Sequence, residues 1–137
     1  MKTVLSVLCL ALIGLPSRSV AAEEHIHCNL RALSKAERSR DTELVLRLRD
    51  ALRERKELAD GYAYRFEPTV LKDVGEWLQL VAKCCQPLSY EVALAPQPSG
   101  ALWVRITGHE GAKEFINLEF AHLTEKLQAQ PENAPVR

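Results

Sequence analysis

Apolar positions in this chain switch between two periods, and each switch marks a new element. Ile26, Cys28 and Leu30 are separated by single polar residues, which predicts a short first strand over 26–30. Ser34-Lys35-Ala36-Glu37 is a capping box, in which Ser34 and Glu37 satisfy the free amides of a helix start. Leu44, Val45, Leu48, Ala51 and Leu52 then recur at helical spacing, predicting a helix that runs to about Glu57. Asp60-Gly61 signals a turn. Tyr62, Tyr64 and Phe66 alternate with Ala63, Arg65 and Glu67 as in a strand. Pro68 suits the first turn of a second helix, whose apolar stripe is Val70, Leu71, Val74, Trp77, Leu78 and Val81 and which Pro87 stops. Leu88, Tyr90, Val92 and Leu94 alternate again; a turn-rich stretch over 96–100 leads to Leu102, Val104 and Ile106, completing a hairpin. A last helix is expected over 111–127, with Phe115, Ile116, Phe120, Leu123 and Leu127 inward. The order β-α-β-α-β-β-α predicts an α+β fold, a mainly antiparallel sheet with helices packed on one face.

The N-terminus follows neither period. Positions 4–15 are mostly apolar. A membrane span needs roughly 20 residues, so this run is too short. Lys2 precedes the run, Pro16 and Ser17 break it, and Val20-Ala21-Ala22 offers small residues for cleavage. Residues 1–22 therefore read as a signal peptide, with export to a periplasm or the outside. Cys9 is a poor lipidation site, because bulky Leu8 precedes it. Removing 22 of 137 residues leaves 115, with a single α+β domain over 23–129 and a loose tail over 130–137 that holds two prolines.

Lys plus Arg (18) equals Asp plus Glu (18), and the leader takes away two of the cations and none of the acids. This balance excludes a bulk basic field for nucleic acid or for a membrane surface. Of four cysteines the leader removes Cys9, leaving Cys28, Cys84 and Cys85, an odd number for an oxidising compartment.

Those three cysteines carry the most specific chemistry in the sequence. Cys84 and Cys85 extend the buried stripe of the second helix through Trp77, Leu78 and Val81. Cys28 sits in the first strand, and its sulfur approaches the pair if that strand joins the sheet beneath the helix. Converging thiolates select thiophilic ions: Zn(II), Cu(I), Hg(II) or As(III). His27 faces away from Cys28 in a regular strand; a bulge or frayed start brings it back as a fourth ligand, which favours zinc.

Two effects oppose an ion. The negative end of a helix disfavours thiolates, unless the ammonium of Lys83 turns towards them. Neighbouring helical residues also point about 100° apart, so one ion reaches both sulfurs only if the helix unwinds there. Gln86-Pro87 makes that unwinding natural. The alternatives are plain core cysteines, a disulfide from Cys28 to Cys84 or Cys85, or a thiol-redox role. Redox work is the weaker of these, since there is no Cys-x-x-Cys and no helix N-terminus to lower a thiol pKa. A vicinal Cys84–Cys85 disulfide would be strained and labile.

Cys28-Asn29-Leu30, Trp77-Leu78, Cys84-Cys85, Pro87 and the run from Leu102-Trp103-Val104 to Arg105-Ile106-Thr107-Gly108 carry a resemblance. The chain resembles, over nearly all of 26–120, a small and mostly uncharacterised bacterial family. Its members have an N-terminal Cys-x-Leu strand, a Cys-Cys pair ending a central helix, and a hairpin leading to a Gly-rich helix start. Similar modules stand alone or are appended to mercury-type transcriptional regulators, so the resemblance implies a soft-metal association by context. Two departures are visible. Relatives often carry an acid a few residues before the pair, where this chain has Val81, and tend to place proline directly after it, where this chain has Gln86 and then Pro87.

Other motifs read as structural. Arg38, Arg49, Arg53 and Lys56 share one stripe of the first expected helix and Glu43, Asp50, Glu54 and Glu57 the next, with spacings such as Glu43–Arg47, a solvated charged face. Gly108-His109-Glu110-Gly111 reads as a strand-to-helix turn ahead of an anion site. His109 with Glu110 lacks an accompanying nucleophile motif, and there is no phosphate loop, His-Glu-x-x-His or Gly-x-Ser-x-Gly. The expected function is binding of a thiophilic ion, more than catalysis.

Overall fold

The computed structural model describes residues 26–129. The expected leader with Cys9, its cleavage point and the tail over 130–137 lie outside the described residues. The chain is α+β, with helices packed against antiparallel sheet. Strand β1 (His27–Cys28) leads through one 3-10 turn (Leu30–Ala32) to helix α1 (Lys35–Ala51), then β2 (Leu52–Glu57) and β3 (Gly61–Phe66). A second 3-10 turn (Pro68–Val70) opens α2 (Leu71–Cys84), followed by β4 (Cys85–Gln86), β5 (Ser89–Leu94), β6 (Leu102–Thr107), α3 (Ala112–Glu119) and α4 (Ala121–Ala129).

The main sheet runs β2-β3-β6-β5, antiparallel throughout. Tyr62, Tyr64 and Phe66 of β3 and Leu102, Val104 and Ile106 of β6 are buried with Leu44 and Leu48 of α1, Val74, Trp77 and Val81 of α2, and Ile116, Phe120 and Leu123 from the last two helices and the break between them. Gly61 begins β3 because nothing larger fits: a Cβ there would lie 2.0 Å from the Ile106 carbonyl oxygen of the neighbouring strand. The Asp60-Gly61 signal thus marks a close approach of two backbones.

The capping box forms as expected. The Ser34 amide donates to Glu37 Oε2 at 2.7 Å and the Glu37 amide to Ser34 Oγ at 3.2 Å. Such a cap contributes about 1 kcal/mol.

Four expectations are corrected. First, α1 stops at Ala51 and not at Glu57, because Leu52 turns to extended backbone and Leu52–Glu57 pairs with β3. Arg-Glu-Arg-Lys-Glu is a good helix sequence, but pairing with β3 overrides that propensity, and a charged edge strand also resists edge-to-edge association. Second, the charged stripes do not stay on one helix, since Arg53, Glu54, Lys56 and Glu57 lie on β2. Arg53 pairs with Glu67, Glu54 with Arg65 of β3, Glu57 with Lys113 of α3, and Asp50 with Lys126 of α4. Third, the first strand is two residues long and pairs with β4 in its own ladder, outside the main sheet. Fourth, the last helix is broken at Phe120, whose backbone (φ −101°, ψ 17°) separates α3 from α4.

Four residues of the expected apolar patterns face out. Leu30 is exposed just after β1, Leu71 at the start of α2, and Val92 and Leu94 on the edge strand β5. The turn reading at 108–111 fits: Gly111 caps α3 at φ 84°. That is the left-handed region, which glycine enters without a steric cost.

A candidate metal centre at the end of helix α2

Residue Cys84 is the last of α2 and Cys85 is already out of the helix, at φ −107° and ψ 87°. This is the unwinding that two neighbouring sulfurs need to converge. The helix end is closed from two sides. The Cys85 amide donates to the Val81 carbonyl, and the Asn29 amide, from the segment just after β1, donates to the Cys84 carbonyl at 2.8 Å. The same contact draws β1 onto the helix end, where Cys28 lies opposite Cys85 in the antiparallel ladder and His27 opposite Gln86. Cys28 thus reaches the pair through β4, without entering the main sheet.

The three sulfurs form a tight triangle. Cys28 Sγ lies 2.7 Å from Cys85 Sγ and 3.5 Å from Cys84 Sγ, and Cys84 and Cys85 Sγ are 3.5 Å apart. Each is a free cysteine. Among the described residues this is the group of donor atoms that lie within 4.8 Å of one another and could hold an ion. Cys84 and Cys85 are 7% and 2% exposed, and Cys28 is half-buried, so the triangle has one side towards solvent. The other expected donor, His27, is exposed on the residue before Cys28.

The protein surroundings by themselves favour neutral thiols. Burial, aided by Cys84 and the Glu119 carboxylate, pushes the Cys28 thiol up to about 12, against a smaller opposing effect of its bond with Cys85. Burial also raises the Cys85 thiol, and its sulfur neighbours add to the rise. Lys83 does not relieve this, because its ammonium donates to Glu37 at 2.8 Å and is held on α1. Near neutral pH Cys28 therefore carries far less thiolate than an ordinary thiol. Higher intrinsic nucleophilicity recovers part of that deficit. Iodoacetamide is expected to alkylate Cys28 at least about tenfold more slowly than it alkylates free cysteine, with a rate still climbing above pH 10. A rate that levels off below pH 9 would contradict this environment.

Two residues that sequence reasoning did not assign to the site hold it in place. The Tyr90 hydroxyl donates to the Cys85 carbonyl at 3.0 Å, fixing the peptide that turns out of α2. Burial raises the Tyr90 phenol, and the sulfurs raise it further, so it stays a donor. Glu119 acts on Cys28 through space from the end of α3. The period-two alternation marks Tyr90 only as a strand residue, and Glu119 has no signal because nothing local marks the helix break beside it. Trp77 packs on Phe120 edge to face, with centroids 5.7 Å apart at 81°, and so joins α2 to that break. This is a preferred arrangement of two aromatic rings.

No protein-family model, curated protein or solved structure matches the chain. Among the described residues no helix is long and apolar enough to cross a membrane.

Proposed function

We propose that this chain is a small exported binding protein that holds a thiophilic metal or metalloid ion through Cys28, Cys84 and Cys85. It buffers, senses or hands on the ion, in a periplasm or outside the cell, without catalysing a reaction. The observation that carries this reading is the convergence of three free sulfurs from two chain segments more than fifty residues apart. Soft thiolate donors fit Zn(II), Cu(I), Hg(II) and As(III) better than hard cations. For a zinc ion, His27 is the nearest candidate for the fourth ligand in sequence. The bacterial family that the sequence resembles, with its link to mercury-type regulators, points the same way.

Equilibrium dialysis of the reduced protein against each ion tests the proposal. The wild type is expected to retain one ion per chain, released by a thiol chelator, and the Cys84→Ser/Cys85→Ser double variant is expected to retain none. Equal retention by the double variant would sink the reading.

A second reading has its own support. Cys28 and Cys85 are direct partners in an antiparallel ladder. Opposed Cα atoms in such a ladder lie about 5.5 Å apart or less. A disulfide spans that separation. On that reading an oxidant removes two electrons and two protons from this pair, Cys84 stays free, and the protein works by thiol–disulfide exchange. A defined dithiol–disulfide potential together with turnover of a small thiol would favour it.

A further inference from the structure

The sulfur triangle differs in size from what most thiophilic ions require. At a bond length of about 2.3 Å, that of zinc to thiolate, a linear ion needs its two sulfurs about 4.6 Å apart, a flat three-coordinate ion about 4.0 Å and a tetrahedral ion about 3.8 Å. Two edges here are 3.5 Å. At the same bond length such an edge subtends about 100° at the ion, the angle of a three-sided pyramid. The third edge, 2.7 Å, must open for any ion, and it opens least for a pyramid.

Charge points the same way. Three thiolates leave a net charge of −1 around a divalent ion and −2 around Cu(I). They leave none around a trivalent one. Two of the three cysteines are buried, and the residual charge of an ionic complex there would face the helix C-terminus and Glu119 with Lys83 tied to Glu37. Burying an uncompensated charge is costly. A neutral complex avoids that cost. The compact donor group, among the described residues, contains three sulfurs and no carboxylate or imidazole, and a pyramidal ion completes its shell with three.

We propose that the preferred ion of this site is a trivalent pyramidal metalloid, with arsenite as the probe, held as a neutral tris-thiolate by Cys28, Cys84 and Cys85. This deepens the ion-binding reading and rests on it. The reaction is a ligand exchange without electron transfer. Arsenous acid, As(OH)3, meets three thiols. Three As–O bonds and three S–H bonds break, three As–S bonds form, and each departing hydroxide leaves as water with a thiol proton. The exchange is balanced in protons and charge: three thiol protons leave with three hydroxides as water, and the complex that remains is neutral.

The test is competition on the reduced, full-length mature chain. One equivalent of arsenite is added, then zinc or Cu(I) in hundredfold excess, and the complex is read by native mass and arsenic absorption-edge spectroscopy. The expected result is one arsenic per chain with three sulfur neighbours and no oxygen, undisplaced by the excess zinc or Cu(I). Cys28→Ser, checked for folding by circular dichroism, is expected to bind arsenite at least a hundredfold more weakly. His27→Ala is expected to bind it within twofold of wild type. Arsenite that keeps an oxygen ligand, or that yields to zinc or Cu(I) held by all three sulfurs, overturns the trivalent choice and leaves the ion-binding reading standing. A tenfold loss in His27→Ala overturns the three-sulfur shell. Retention of no ion at all by the folded, reduced chain overturns both.

Discussion

The Cys28→Ser variant is expected to bind the ion about a hundredfold more weakly than wild type while keeping its fold. A structural zinc site of four ligands is worth about 10–16 kcal/mol, or about 3 kcal/mol per ligand, which corresponds to a factor of about a hundred. Cys28 comes from a two-residue strand beyond the core helices, half-buried, so a serine hydroxyl there disturbs little packing. The backbone contact that brings this segment to the helix end, from the Asn29 amide to the Cys84 carbonyl, does not involve the sulfur and survives the change. Isothermal titration with the bound ion, beside thermal unfolding of both proteins without it, separates loss of a ligand from loss of structure. Unchanged affinity would mean that Cys84 and Cys85 suffice and that Cys28 is a packed bystander.

The Trp77→Ala variant should lose about 3–5 kcal/mol of stability, the usual cost of emptying a large aromatic site in a core. Trp77 is 1% exposed and stands edge to face on Phe120. An aromatic pair of this kind adds about 0.5–1.5 kcal/mol beyond area. Small domains hold only about 5–15 kcal/mol in total, so the variant is expected to be close to unfolding at physiological temperature. Because Trp77 lies on the same helix as Cys84 and Phe120 sits at the α3–α4 break, the sulfur triangle should loosen with it. Trp77→Phe keeps part of the contact and should lose less. Urea unfolding followed by circular dichroism measures both. A loss under about 1 kcal/mol for the alanine variant would mean that the ring is not the pin joining α2 to the last helices.

Much of this architecture was legible one element at a time. The capping box, the stripe of α2 from Val74 onward and the alternation of β3 and β6 are local patterns, and each forms where the pattern places it, while Leu71 at the start of the stripe is exposed. The failures share one physical cause. β2 is a helix-forming sequence recruited as a strand by β3, the β1–β4 ladder exists because the end of α2 presents a free carbonyl, and the break at Phe120 accompanies a ring seated on Trp77. Each is decided by a partner distant in sequence, which periodicity within a window does not contain. The site divides in the same way. Burial of Cys84 follows from the helical stripe and unwinding beside Gln86-Pro87 from backbone chemistry, whereas Cys85 is buried outside the helix, on β4 opposite Cys28. The approach of Cys28 was right in outcome and different in route, since the sulfur arrives along β4. Nothing local signalled the grip of Tyr90 on the Cys85 carbonyl, the influence of Glu119, or the capture of Lys83 by Glu37.

The central claim is that three sulfurs act together on one ion. The most direct measurement is the intact mass of the protein purified from cells that express it from its own full-length sequence, native and then denatured, with thiols counted after denaturation. One ion in the native mass, and three free thiols once it is stripped, is the predicted result. An ion-free chain, lighter by two hydrogens and with one free thiol, would contradict the claim and mean that two of the three cysteines are joined in a disulfide.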